Sequence, residues 1–78
     1  MKTAESIGVA FIGSGLVAHM HARAVRACPG ARLIGMYDPR AAAARALTRQ
    51  YGGRVYRTRE ELLADPAVTA VHILTPPS

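Results

Sequence analysis

The chain has no tryptophan, one phenylalanine and one cysteine, and only five acidic residues against ten lysines and arginines. Each scarcity excludes something. A lone Cys28 cannot close an internal disulfide, which suits a reducing compartment, and a cytoplasmic location is expected. Its place at the end of a helix, just before Pro29-Gly30, marks a small packing residue rather than a nucleophile. No apolar run approaches the roughly 20 residues of a membrane span, so no membrane partner is expected. The excess of positive charge is +5, but nine arginines carry most of it, dispersed from Arg23 to Arg59 with few aromatics among them. Nucleic-acid surfaces cluster their charge on one face, so no specific nucleic-acid partner is expected.

Lys2, the apolar stretch from Ile7 to Ala18 and Ala22-Arg23-Ala24 together imitate a secretory leader. Glu5 sits in the supposed positive region, and Gly8, Gly13 and Gly15 interrupt the supposed apolar helix. The leader reading is therefore rejected. Seventy-eight residues make at most one small domain. No repeat, low-complexity tract or interdomain linker is visible.

What is present is an alternation. Met1 to Ser6 reads as a lead-in. Ile7 to Ile12 is an apolar run of strand length without polar alternation, as in a parallel strand buried on both faces. Leu16 to Cys28 has Leu16, Met20, Ala24 and Ala27 at helical spacing, and Pro29-Gly30 stops it. Arg32 to Tyr37 reads as a strand. Asp38-Pro39 signals a helix start, with an acceptor at the N-cap and proline at the first helical position. An alanine-rich helix runs from Arg40 to Tyr51 and ends at Gly52-Gly53. Arg54 to Arg57 is a short strand. Thr58 and Glu61 form a capping box for a helix through Ala64, broken by Asp65-Pro66. Val68 to Leu74 is the last strand. The order β-α-β-α-β-α-β predicts an α/β, Rossmann-like parallel sheet with right-handed crossovers and strand order 3-2-1-4. At this length it is the first half of such a domain.

The chemistry concentrates where the first strand runs into Gly13-Ser14-Gly15-Leu16-Val17-Ala18, a G-x-G-x-x-A turn that opens a helix. In a dinucleotide site the first glycine allows the tight turn. The second lets pyrophosphate approach the backbone, and Ala18 permits close helix–strand packing. The helix start, at Leu16 and Val17, presents free N–H groups to phosphate. Ser14 is placed to offer its hydroxyl or N–H as well. Asp38 lies 23 residues past Gly15, at the end of the second strand. There it would accept the adenosine ribose hydroxyls and repel a 2′-phosphate, which favours NAD. It would also cap the next helix. Arg40 is within reach of a 2′-phosphate, so NADP stays open. His19 and His21, two apart on a helix, face different ways and make a poor metal pair. His72, inside an apolar strand, reads as a packed, hydrogen-bonded imidazole. No catalytic residue and no metal ligand set are assigned.

With these residues in place, the chain resembles the N-terminal domain of the glucose–fructose oxidoreductase / inositol dehydrogenase (Gfo/Idh/MocA) family from about Ile7 to Ser78. The glycine turn with His21, Tyr37-Asp38-Pro39, Ala46 and Tyr51-Gly52-Gly53 all fit. The stretch from Glu61-Leu62-Leu63-Ala64-Asp65-Pro66 to Thr75-Pro76-Pro77 is more specific than the glycine motif. The resemblance implies NAD(P)-dependent oxidation or reduction of a sugar, cyclitol or related hydroxyl compound. It places Gly13, Gly15 and Ala18 at the pyrophosphate, Asp38 at the ribose, and Thr75 and Pro76 on the nicotinamide side. It further implies a homo-oligomeric parent enzyme. The family's Glu-Lys-Pro motif, with its catalytic lysine, is not in these 78 residues, and His72 stands where an apolar residue is usual. Residues 1–78 are thus expected to be the N-terminal part of the dinucleotide-binding domain of a longer enzyme, without a second domain and without catalysis of its own. The alternative expectation is a small Rossmann-like module that binds NAD(H) or mediates association.

Overall fold

A computed structural model describes residues 7–74. Four strands form one parallel sheet, β1 Ile7–Ile12, β2 Ala31–Tyr37, β3 Arg54–Val55 and β4 Ala70–Ile73, in the order β3-β2-β1-β4. Three helices alternate with them: α1 Leu16–Ala27, α2 Ala41–Tyr51 and α3 Arg59–Ala64. The expected topology is therefore the observed one, and the structure is Rossmann-like.

The alternation of side chains along β1 divides the core between the two faces of the sheet. Val9 and Phe11 pack with Ala18, Ala22 and Val25 of α1 and with Ala44 and Leu47 of α2. Ala10 and Ile12 point the other way, onto Tyr56 and Leu62 of α3. β1 has helices on both sides, which is why it reads as a continuous apolar run.

Element ends differ from expectation by a residue or two, for local reasons. Cys28 leaves the helix in an extended conformation, as the residue before a proline must. It is exposed, so the expected packing role does not hold: α1 lays Ala18, Ala22 and Val25 on the sheet and leaves Cys28 outside that face. The strand expected from Arg54 to Arg57 pairs only over Arg54–Val55, although the Tyr56 N–H still donates to the Met36 carbonyl at 2.9 Å. Val68 does not join β4, because its N–H closes a turn on the Asp65 carbonyl at 3.0 Å. Half of the capping box is as expected, with the Glu61 N–H donating to Thr58 Oγ1 at 3.0 Å. The returning carboxylate takes the Arg57 N–H instead, at 2.9 Å.

Asp65 ties the end of α3 to the sheet. Its Oδ2 accepts the Tyr56 hydroxyl at 2.6 Å and its Oδ1 the Ala67 N–H at 2.9 Å. Burial and the adjacent Asp65 push the Tyr56 hydroxyl up to about 12. The Tyr56 and Ala67 hydrogen bonds hold the Asp65 carboxyl below its ordinary range. The raised Tyr56 value means stability present below the ordinary tyrosine range and lost as pH rises through about 10 to 12. The lowered Asp65 value means stability present above the ordinary carboxylate range and lost as acid protonates it. Tyr56→Phe is expected to lower the neutral-pH denaturation midpoint and to flatten both flanks of its pH profile. Equal profiles for the two proteins would show that this contact contributes nothing.

Candidate dinucleotide site

The carboxyl end of β1 runs into the glycine turn, and the turn into α1. Gly13 has φ 107°, a conformation that side chains rarely adopt, so glycine is required by the turn itself. Its N–H donates to the Tyr37 carbonyl at 2.8 Å, which fixes the turn against the end of β2. Gly15 is different. It has an ordinary extended conformation, φ −77° and ψ −162°, and a Cβ built on it would meet nothing within 4 Å. Neither backbone strain nor packing within the described structure calls for glycine at this position.

Gly15 is also the N-cap of α1, which has no side-chain cap and no acidic residue in its first turn. The first N–H groups of a helix have no partner inside it, so those of Leu16 and Val17 start α1 with a partial positive charge. Leu16 and Val17 themselves are exposed. Ala18 is fully buried against the sheet, as the close-packing position of the motif requires.

Asp38 stands at the end of β2, beside this turn, and is only 6% exposed. Its Oδ2 accepts the Ser14 N–H and the Ser14 hydroxyl, both at 2.9 Å. Its Oδ1 accepts the Arg40 N–H at 2.8 Å and Arg40 Nε at 3.2 Å. Burial raises the carboxyl, but the Arg40 and Ser14 hydrogen bonds outweigh it and hold Asp38 below its ordinary range. The acid is therefore ionised and aimed at the glycine turn.

Two expectations change here. Asp38 does not cap α2. Arg40 is the N-cap, without a side-chain bond, and Asp38 instead closes an Asx turn on the Arg40 N–H. The two Ser14 donors draw the carboxylate toward the turn, and the helix begins beyond its reach. Ser14, expected to offer its donors to a phosphate, directs both into the protein. Thr75 and Pro76 lie outside the described residues.

Nearby, a cavity of about 240 Å³ is lined by Ile12, Tyr37, Pro39, Arg59 and Ile73, at the carboxyl ends of β1, β2 and β4. A larger one, about 560 Å³, lies along Arg54–Arg57 and α3, away from the glycine turn. In open parallel sheets ligands bind beyond the carboxyl ends of the strands, where the strand order reverses, here between β1 and β4. The smaller cavity is at that place.

The histidines sort as their spacing implied. His19 Nδ1 lies 3.3 Å from the Tyr51 hydroxyl of α2, whereas His21 Nδ1 lies 3.3 Å from His72 Nδ1 of β4. His72 stacks on Phe11 at 5.7 Å and 22°. The His21–His72 pair had no signal in the sequence, because it joins residues 51 apart. Among the described residues there is no cluster of three or more His, Cys, Asp or Glu that could hold a metal ion. Nor, among them, is any helix long and apolar enough to cross a membrane.

Comparison with known proteins agrees with this geometry. Residues 7–78 match the family model for the Gfo/Idh/MocA oxidoreductases, NAD-binding Rossmann fold. No curated protein sequence matches the chain. Among solved structures, GenD2 from gentamicin A biosynthesis, in complex with NAD, is 33% identical with a TM-score of 0.88. The alignment covers 97% of this chain and 22% of GenD2. The myo-inositol dehydrogenase from Lactobacillus casei, with NAD(H) and myo-inositol, is 29% identical with a TM-score of 0.81, covering 90% of this chain and 22% of the enzyme. KijD10, a 3-ketoreductase from Actinomadura kijaniata seen with NADP, is 26% identical with a TM-score of 0.79, covering 86% and 21%. The chain thus spans about a fifth of the length of these neighbours. With a family match over residues 7–78 and a glycine turn that meets an ionised acid at the end of β2, the chain belongs to the Gfo/Idh/MocA oxidoreductase family and has its NAD-binding Rossmann fold.

Proposed function

We propose that these residues form the phosphate and adenosine-ribose part of the cofactor grip of an oxidoreductase acting on a sugar, cyclitol or similar hydroxyl compound. The open space at Gly15 carries this reading: glycine stands there without an internal reason, at the mouth of an uncapped helix. A pyrophosphate against that backbone supplies the reason, since it tolerates no side chain there. Gly13 shapes the turn. Gly15, Leu16 and Val17 border the pyrophosphate, and Ser14 aims Asp38. Asp38 takes the ribose hydroxyls, and Arg40 lies on the side a 2′-phosphate would occupy. Thr75 and Pro76 are assigned to the nicotinamide side on family resemblance. The nicotinamide, when bound, supplies the hydride chemistry. The substrate class rests on the family and on neighbours such as the L. casei enzyme with its myo-inositol. The chain itself is proposed to be part of one dinucleotide-binding domain, with cofactor binding and no catalysis of its own.

Asp38→Asn removes the charge with little change in volume. Its NH2 must face either the Ser14 or the Arg40 N–H, so a urea midpoint read beside the titration separates a disturbed turn from a lost ribose contact. Hydrogen bonds to a charged group contribute about 1.5–3 kcal/mol, so NAD binding is expected to weaken by about tenfold or more, with NADP affected less. Calorimetric titration of both nucleotides tests this. Equal NAD affinity in both proteins would leave Asp38 with the turn alone.

A further inference from the structure

Asp38 has no free acceptor in this arrangement. A carboxylate offers about four lone-pair sites. The Ser14 N–H and hydroxyl take those of Oδ2, and the Arg40 N–H and Nε take those of Oδ1. A second guanidinium nitrogen stands 3.4 Å from Oδ2. Three of the four close donors are bound to stay: two are backbone N–H groups in turns, and the third is the hydroxyl of Ser14, which is 6% exposed. Only the guanidinium is free to leave, because the Arg40 side chain is 72% exposed against 4% for Asp38.

On the reading that Asp38 is the ribose acceptor, we infer that Arg40 is a built-in competitor of the ribose and narrows the preference for NAD over NADP. A ribose hydroxyl that donates to Oδ1 must displace Nε. With NAD the released guanidinium gains no anion in exchange. With NADP the same displacement brings a 2′-phosphate beside it, and a guanidinium fork matches phosphate with two parallel hydrogen bonds. Asp38 stays ionised throughout, since Ser14 still donates twice to Oδ2. One residue therefore weakens NAD and recruits NADP.

The test is Arg40→Met, which keeps the length of the side chain and removes its donors. Exposed ion pairs contribute about 0.2–1 kcal/mol, so NAD is expected to bind about 1.4- to fivefold tighter. NADP is expected to bind about tenfold weaker, by loss of a charge-assisted phosphate contact. Arg40→Lys, which keeps the charge without the fork, should fall between. The substituted side chain is exposed, so the fold should persist, and amide spectra would verify it. Unchanged or weaker NAD binding in Arg40→Met would overturn the competition. Asp38→Asn in the same series separates the two ideas. If it weakens NAD while Arg40→Met does not strengthen it, only the competition fails. If Asp38→Asn leaves NAD untouched, or the chain binds neither nucleotide, the ribose assignment fails and the competition with it.

Discussion

Gly15→Ser is expected to weaken NAD binding by about a hundredfold, about 2.8 kcal/mol, while leaving the protein as stable as before or slightly more so. The two effects have opposite signs for one reason. At φ −77° and ψ −162°, with nothing among the described residues within 4 Å of its Cβ, position 15 has room for a small side chain. Serine also ranks above glycine as an N-cap, because its oxygen can accept an N–H of the first turn that is otherwise orphaned. Those are the N–H groups a pyrophosphate needs, and the new side chain stands where the phosphate would approach. Gly13→Ser at the other end of the turn is the contrast. With φ 107° it strains the backbone directly and loses stability and binding together. Calorimetric titration with NAD and a urea denaturation curve for each protein separate the two. Undiminished NAD affinity in Gly15→Ser would mean that phosphate does not approach this backbone, and the proposed site would lose its main support.

The contrast shows why the fold was so legible and the site less so. The alternation of apolar runs with glycine and proline stops marks each element locally. Along β1, Val9 and Phe11 must face away from Ala10 and Ile12, but all four are apolar, so which helix covers which face is seen only in the fold. The capping bond at Thr58 is local too, three residues long. What escaped are contacts between residues far apart in the chain. Ser14 reads as a phosphate donor until β2 places Asp38 beside it, 24 residues later. Asp38 reads as a helix cap until those two donors turn it away from α2. His21 and His72 each read correctly in isolation, one on a helix face and one packed in a strand. Only the β1–β4 pairing, Phe11 beside His72, brings their rings together at 5.3 Å. Cys28 reads as a packing residue from its type and position, but its exposure follows from which face α1 lays on the sheet, the one with Ala18, Ala22 and Val25. The glycine motif is thus legible in the sequence, whereas the hydrogen bonds around Asp38 exist only after folding.

The largest loss of stability is expected from Phe11→Ala. Phe11 is fully buried in the middle of the sheet, paired in register with Met36 on one side and His72 on the other. It stacks on His72 and meets His21 edge-on at 6.2 Å. Truncating a buried phenylalanine costs about 3–5 kcal/mol. A domain of this length has about 4–12 kcal/mol in all, so the loss takes a large share of the total, and at the low end of that range much of the population unfolds at room temperature. The urea midpoint should fall by about 2–3 M. Phe11→Leu keeps most of the volume and removes only the ring geometry, so it should cost far less; aromatic pairs add about 0.5–1.5 kcal/mol beyond burial. Phe11 is also two residues before Gly13, on the strand that carries the glycine turn. If turn and core are one cooperative unit, NAD at a hundred times its dissociation constant should return about 2.7 kcal/mol to the alanine variant. A Phe11→Ala midpoint within about 0.5 M of the parent's would show that the core tolerates the missing ring. A large fall that saturating NAD does not reverse would mean that the turn no longer forms on the weakened strand, or that it binds no nucleotide.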